Sequence, residues 1–327
     1  MPKNHLLDQY KRRYRYLRLS ITDACNFQCQ YCLPNGYEKT TKDKPLNLQE
    51  IQILVDTFAQ LGTEKIRITG GEPTIRKDLV DIIALCNETK GIQHIGMTSN
   101  GYQLAPKLNS LISAGLSSLN ISADSLDPKT FALITGRDKL DEIYRCIETA
   151  LSLGLKTVKM NVVLMREYHQ NDIAPFIKLL EKYPITIRFI ELMQTGDNKS
   201  FYQQQHLSGL PILNQLESNG WQQIIRPAHA GPAIELSHKD FMGNVGFIMP
   251  YSKNFCSDCN RLRVSAQGNL HTCLFHKADA ELRTLLTHEN KAVLLNFIQE
   301  KVQHKWQGHQ LDVGDTGSTI HLAMIGG

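Results

Sequence analysis

Between Tyr14 and Met193, short β-branched runs alternate with longer amphipathic stretches. The predicted strands are residues 16–22, 65–69, 94–98, 118–123, 157–164 and 186–192. The predicted helices between them are residues 48–61, 79–88, 104–114, 140–153 and 173–183, each with apolar positions at helical spacing. Strand then helix, repeated along the chain, argues for a parallel sheet with crossover helices. Periodicity alone leaves open whether that sheet is doubly wound or rolled into a closed or partial barrel.

After about Gln194 the rhythm breaks. Glutamines 203–205 and the punctuation at Pro211, Gly220, Pro227 and Gly231 mark a second region with short strand candidates. Residues 261–265 and 270–272 flank Gln267-Gly268-Asn269 as a predicted hairpin. Helical patterns follow at 278–286 and 290–305, and the sequence closes on Gly326-Gly327.

Composition narrows the setting. A chain of 327 residues has room for one large α/β domain and a smaller appendage. No apolar run approaches the ~18 residues of a membrane span, and the first residues lead into a basic, polar stretch unlike a signal peptide. A cytoplasmic protein is expected, with no membrane partner. Its eight cysteines then point to metal ligation rather than disulfides. A net charge of +4 is too mild to imply nucleic acid. Lys11, Arg12, Arg13, Arg15 and Arg18 crowd the beginning of the chain, the pattern of a solvated face or loose arm, with anion binding as the sharper reading.

Candidate chemistry concentrates just after the predicted strands. Cys25-x3-Cys29-x2-Cys32 follows the first. A 4Fe–4S cluster takes four ligands, so three thiolates leave one iron open to a small molecule. The second strand ends in Gly70-Gly71-Glu72-Pro73, the third in Thr98-Ser99-Asn100-Gly101 and the fourth in Ser122-Ala123-Asp124-Ser125. The fifth carries Lys159 and Asn161, and the sixth carries Arg188 before Glu191-Leu192-Met193. In parallel α/β folds ligands bind at this rim. Gly70 and Gly71 would let a ligand approach the backbone, and Asp or Ser groups suit a ribose. Lys159, Arg188 and Arg18 would form a cationic wall for phosphates. A second set, Cys256-x2-Cys259-x13-Cys273, has His276 nearby, so its spacing suits a Cys3His zinc site or an iron–sulfur cluster equally. Arg261 and Arg263 lie within it on one strand face. Cys86 and Cys146 read as packed core thiols.

The run Thr22-Asp23-Ala24-Cys25-Asn26-Phe27-x-Cys29-x-Tyr31-Cys32-Leu33-Pro34 resembles the signature of radical S-adenosylmethionine enzymes. Joined by Arg67-Ile68-Thr69-Gly70-Gly71-Glu72-Pro73, the second cysteine set, its arginines and the Gly-Gly end, it resembles the GTP 3′,8-cyclases of molybdenum cofactor biosynthesis over residues 14–327. That resemblance implies a partial (β/α)6 TIM-like barrel over residues 1–235. A smaller α+β domain, residues 236–327, would carry a second iron–sulfur cluster.

Two 4Fe–4S clusters and S-adenosylmethionine are the implied cofactors. Cys25, Cys29 and Cys32 would hold one cluster and Cys256, Cys259 and Cys273 the other, leaving His276 a bystander. Tyr31, Gly71, Ser122 and Met193 would bind S-adenosylmethionine. Arg18, Arg67, Thr98, Lys159, Arg188, Arg261 and Arg263 would contact GTP. Arg261, Arg263, Gly326 and Gly327 would serve catalysis, the Gly-Gly tail entering the site. The implied reaction abstracts the 3′ hydrogen of GTP and closes the ribose carbon onto C8 of guanine. Implied partners are an electron donor, cyclic pyranopterin monophosphate synthase as the next enzyme, and a second copy in a homodimer. The rival readings are a peptide-modifying radical enzyme and a zinc module that binds nucleic acid.

Overall fold

Alternation of apolar and polar residues along most of the length of the parallel strands organises the molecule. The computed structural model describes residues 5–38, 44–170, 173–225, 230–317, 319 and 322–325. The first six strands are β1 (Tyr16–Ser20), β2 (Lys65–Thr69), β3 (His94–Ser99), β4 (Ser118–Ser122), β5 (Val158–Leu164) and β6 (Thr186–Glu191). Six more follow: β7 (Gln222–Gln223), β8 (Ile234–Ser237), β9 (Asn244–Ile248), β10 (Arg261–Val264), β11 (Asn269–His271) and β12 (Ala280–Glu281). They form one sheet in the order β12-β11-β10-β1-β2-β3-β4-β5-β6-β9-β8-β7. From β10 through β9 every pairing is parallel, and the outermost strands on both sides run antiparallel.

Leu17, Leu19, Ile66, Ile68, Met97, Leu119, Ile121, Met160, Val162, Ile187 and Phe189 are buried in the main core. That apolar face packs on the crossover helices. Helix Leu48–Gln60 contributes Ile51, Leu54, Val55 and Phe58, and opens with a reciprocal cap between Asn47 and Glu50. The intervening positions, Arg18, Arg67, Asn120, Asn161, Arg188 and Arg263, share the opposite face by the period-two rule. Strands buried on both faces in ordinary parallel sheets are apolar throughout. Here polar residues line a cavity enclosed by the second face.

All six predicted βα strands are present, with ends shifted by a residue or two. The predicted hairpin is β10–β11, turning through Gly268 at φ +88°. Residues 278–286 form no α-helix: Ala280 pairs with Leu270, Leu282 donates its amide to Gly268, and only a single 3-10 turn, Arg283–Leu285, is helical. Strand pairing there captures the amides a helix would need. Helices Pro128–Thr135, Lys199–Gln205 and Leu210–Ser218 went unpredicted. The first carried legible signals, since Asp127 caps it, Pro128 opens it and Gly136 closes it at φ +70°.

The basic arm is not loose. Arg12 is buried and ion-paired to Asp8 at 2.6 Å, because Leu6 and Tyr14 draw the arm into the core. Residue 235 falls within β8, which pairs with β9 in the continuous sheet. Among the described residues, no helix is long and apolar enough to cross a membrane.

Candidate active site

Both cysteine sets line one cavity. The first set occupies the loop leaving the carboxyl end of β1. Gly71 donates its amide to Thr22 O at 2.8 Å, and Glu72 donates to Ala24 O at 2.8 Å, tying that loop to the end of β2. This contact explains the two glycines. A Cβ on Gly71 would lie 2.3 Å from Ala24 O, and one on Gly70, at φ +147°, would lie 2.3 Å from Thr22 O. The space they leave is filled by the cysteine loop backbone, although both glycines also line the cavity. The buried Glu72 carboxylate completes the lock, accepting from Thr74 N, Ser99 Oγ and Asn100 N at 2.7–3.0 Å.

The second set lies at the other end. Cys256 and Cys259 precede β10, whose Arg261 is in register with Tyr16 at the start of the parallel strand β1. Cys273 leaves β11, which runs back antiparallel beside β10. The sets therefore face each other along the length of the inner wall. At the usual rise of a strand that separation is on the order of 15 Å.

The two environments are electrostatically opposite. Burial pushes the Cys25 thiol up to about 11, with Glu72 adding to the effect. Burial and the neighbouring thiolate of Cys25 lift Cys32 to about 12. Cys29 is raised by burial and then by Asp124. Burial opposes ionisation of Cys259 too, but Lys305 and Arg261 overcome it and bring that thiol to about 6. Cys256 is lowered by His309 against a burial effect of opposite sign. His309 carried no signal in the sequence, yet it lines the cavity with its ring between Phe255 and Phe275. His276 packs on Trp306 instead.

Between the thiol sets runs a wall of cations. Arg18 and Arg188 are each depressed to about 10, chiefly by burial. Arg263 falls well below its usual value through burial, then repulsion by Arg18 and Arg261. Glycine on neighbouring strands makes room for this crowding: a Cβ on Gly96 would sit 2.8 Å from an Arg67 nitrogen, and one on Gly246 would sit 3.0 Å from Arg188 Cγ. Arg188 donates to Asn161 Oδ1 at 2.7 and 3.1 Å. Tyr16, which sequence reasoning missed, accepts from Arg67 Nε at 2.7 Å. Burial disfavours its phenolate, but Arg67, Arg18 and Lys65 pull its pKa down to about 6. Like charges held together in a low-dielectric wall are relieved by an anion, and arginine forks match phosphate.

Tyr31, Gly71, Ser122, Met193, Arg18, Thr98, Arg188, Arg261 and Arg263 all line this cavity with the six cysteines. Among the described residues, Thr98 Oγ1 and Asn120 Oδ1 are buried there without a hydrogen-bond partner, as befits a site for a polar ligand. Arg67 and Lys159 are not on its wall. Arg67 is turned onto Tyr16 and Met97 O, and Lys159 is paired with Glu235. Leu322 and Ala323 of the terminal segment enter the cavity. Gly326 and Gly327 lie outside the described residues.

All eight cysteines are unpaired thiols. Among the described residues, no group of three His, Cys, Asp or Glu side chains is placed to hold a single metal ion. The soft thiolates of each triplet fit the donor chemistry of a 4Fe–4S cluster, supplying three of the four ligands it would take.

The profile of the Radical SAM superfamily matches residues 19–180, and that of Molybdenum Cofactor Synthesis C matches residues 185–311. The GTP 3′,8-cyclase of Haemophilus ducreyi is 47% identical over 98% of this chain and 95% of its own length. That of Vibrio vulnificus is 46% identical over 98% and 97%. Among solved structures, Streptococcus suis SuiB bound to S-adenosylmethionine superposes with a TM-score of 0.60 at 14% identity, over 80% of this chain and 60% of SuiB. SuiB bound to its precursor peptide gives 0.59 at 13%, over 97% and 77%. These two likenesses concern the fold alone. From the near full-length identity and the two profiles, the chain belongs to the GTP 3′,8-cyclase family of the Radical SAM superfamily.

Proposed function

We propose that this chain converts GTP to (8S)-3′,8-cyclo-7,8-dihydroguanosine 5′-triphosphate, the first step of molybdenum cofactor biosynthesis. The observation that carries this reading is a single cavity with a cysteine triplet at each end and an arginine wall between. Cys25, Cys29 and Cys32 would hold one 4Fe–4S cluster, with Tyr31, Gly71, Ser122 and Met193 around S-adenosylmethionine. Cys256, Cys259 and Cys273 would hold the second cluster. Arg18, Thr98, Arg188, Arg261 and Arg263 would hold GTP, with Arg67 and Lys159 released toward it from Tyr16 and Glu235. We read the sheet as a partial (β/α)6 barrel over residues 1–235, extended by a smaller unit at 236–327 that bears the second cluster.

The cluster that Cys25, Cys29 and Cys32 would hold would supply the electron for reductive cleavage of S-adenosylmethionine, the source of the radical that this reaction requires. The side chains mainly bind, orient and exclude water. The carboxylates near the first set are committed to structure. Asp124 accepts from Tyr31 OH and Val163 N at 2.8 Å, and Glu72 holds the strand ends. The arginines would neutralise and anchor the triphosphate. Gly326 and Gly327 are assigned to catalysis by resemblance. A cytoplasmic homodimer, served by an electron donor and followed by cyclic pyranopterin monophosphate synthase, completes the proposal.

Anaerobically reconstituted protein should hold about eight irons per chain. With S-adenosylmethionine, GTP and a strong reductant it should form 5′-deoxyadenosine and the cyclised nucleotide together. Cleavage of S-adenosylmethionine indifferent to GTP would overturn the substrate assignment.

A further inference from the structure

Lys305 is a buried lysine, 4% exposed, lying just beyond helix Lys291–Gln303. Its Nζ donates to Cys259 Sγ at 3.3 Å and stands 4.7 Å from the centroid of the Tyr14 ring. Among the described residues, no carboxylate lies within ion-pair distance of it. Asp8, the nearby acid of the arm, is already engaged by Arg12 and Tyr14. An ammonium taken from water without a counter-anion is strongly disfavoured. A thiolate-bound cluster would be that counter-anion.

The surroundings hold Lys305 in place. Gln9 Nε2 donates to its carbonyl at 3.3 Å. Arg12 donates to Trp306 O at 2.7 Å, Gln307 O at 2.5 Å and Cys256 O at 2.9 Å. One guanidinium thus fixes the lysine's own chain segment to the loop that carries the second cysteine set. At the first set the charged neighbours are acidic, Asp124 and Glu72. Net charge and hydrogen bonds to sulfur govern iron–sulfur potentials, positive surroundings favouring the reduced state.

We propose that Lys305 is a positioning residue that raises the reduction potential of the cluster on the second set above that of the first, through its ammonium contact with Cys259. This rests on the reading that the second set holds a 4Fe–4S cluster. The two sites of one cavity are thereby set apart electronically by an acidic and a basic neighbourhood.

The test is an anaerobic redox titration of the two-cluster protein, followed by electron paramagnetic resonance. Lys305→Met, with iron content unchanged, should lower the second potential and leave the first where it was. Lys305→Arg should restore most of the difference. An unchanged second potential in Lys305→Met, with full iron, overturns the proposal. Where Lys305→Met does not fold, Lys305→Gln keeps a donor without charge, and an unchanged potential there is equally decisive. Wild-type protein with about four irons would instead overturn the two-cluster reading, and this inference with it.

Discussion

At the scale of single residues, the missing side chains of two glycines carry much of the site. Gly71→Ala puts a methyl 2.3 Å from Ala24 O, so the cysteine loop must move. The expected result is loss of the first cluster alone, about four irons per chain instead of about eight. Stability should fall by about 1–3 kcal/mol, the usual cost of forcing atoms into filled space. Iron analysis and thermal unfolding measure the two effects. Gly96→Ala would press on the Arg67 guanidinium and on Ser118 Oγ. Steady-state kinetics should show the KM for GTP raised roughly tenfold, about 1.4 kcal/mol, with both clusters intact. Both glycines sat in plain view in the sequence, but their reason did not. Gly-Gly after a strand reads as a ligand approach, and Gly70 and Gly71 do line the cavity, but the close packing of the cysteine-loop backbone against them leaves no local signal. Tyr16 was equally opaque, because a tyrosine opening a strand is an ordinary residue until its register with Arg261 and Lys65 is known.

At the scale of elements, the initial arm behaves as a brace. Asp8 and Arg12 are buried together, and breaking such a pair by removing one partner costs about 3–5 kcal/mol. Asp8→Asn should therefore weaken the fold and loosen the loop of Cys256. Burial alone would raise the Asp8 pKa, but hydrogen bonds from Tyr14 and Arg12 outweigh it and hold it below its ordinary value. The sign follows: its stabilisation is complete above about pH 4 and is lost as pH falls through the folded value. Urea unfolding should show the penalty of Asp8→Asn largest near neutrality and smaller at pH 3. A penalty that grew on acidification would contradict this. The arm's burial was illegible because five basic residues in eight look solvated when the carbonyls that Arg12 engages, those of Cys256, Trp306 and Gln307, lie far along the chain. By contrast, the hairpin around Gly268 was legible, since its turn signal is local. The stretch at 278–286 misled because β11, which captures it, imposes strand geometry from outside.

At the scale of the whole molecule, the alternation of residues along each strand separates a packed apolar face from a charged interior. That division was readable in Lys159, Asn161 and Arg188, polar residues inside β-branched runs. The order of strands was not readable, since partners such as Tyr16 and Arg261 leave no mark on each other's sequence. If the cationic interior reads phosphate, binding to the two-cluster protein should weaken from GTP to GDP to guanosine and with added salt. Arg261→Ala and Arg263→Ala should each flatten that ladder and abolish most turnover with both clusters in place. Equilibrium binding with each nucleotide tests this, and an unflattened ladder in both variants would exclude the arginines from the phosphate site.

The sheet is finished at both margins by strands made late. β9 covers the free edge of β6, and β10 covers that of β1. During synthesis, the first six strands emerge with two exposed rows of amides and carbonyls, an invitation to intermolecular pairing. Their final neighbours lie up to some 245 residues away in sequence, as with Tyr16 and Arg261. Contacts that distant form slowly. A chain cut before Asn244 should consequently aggregate, and the intact chain should depend on protection until its last third has been translated.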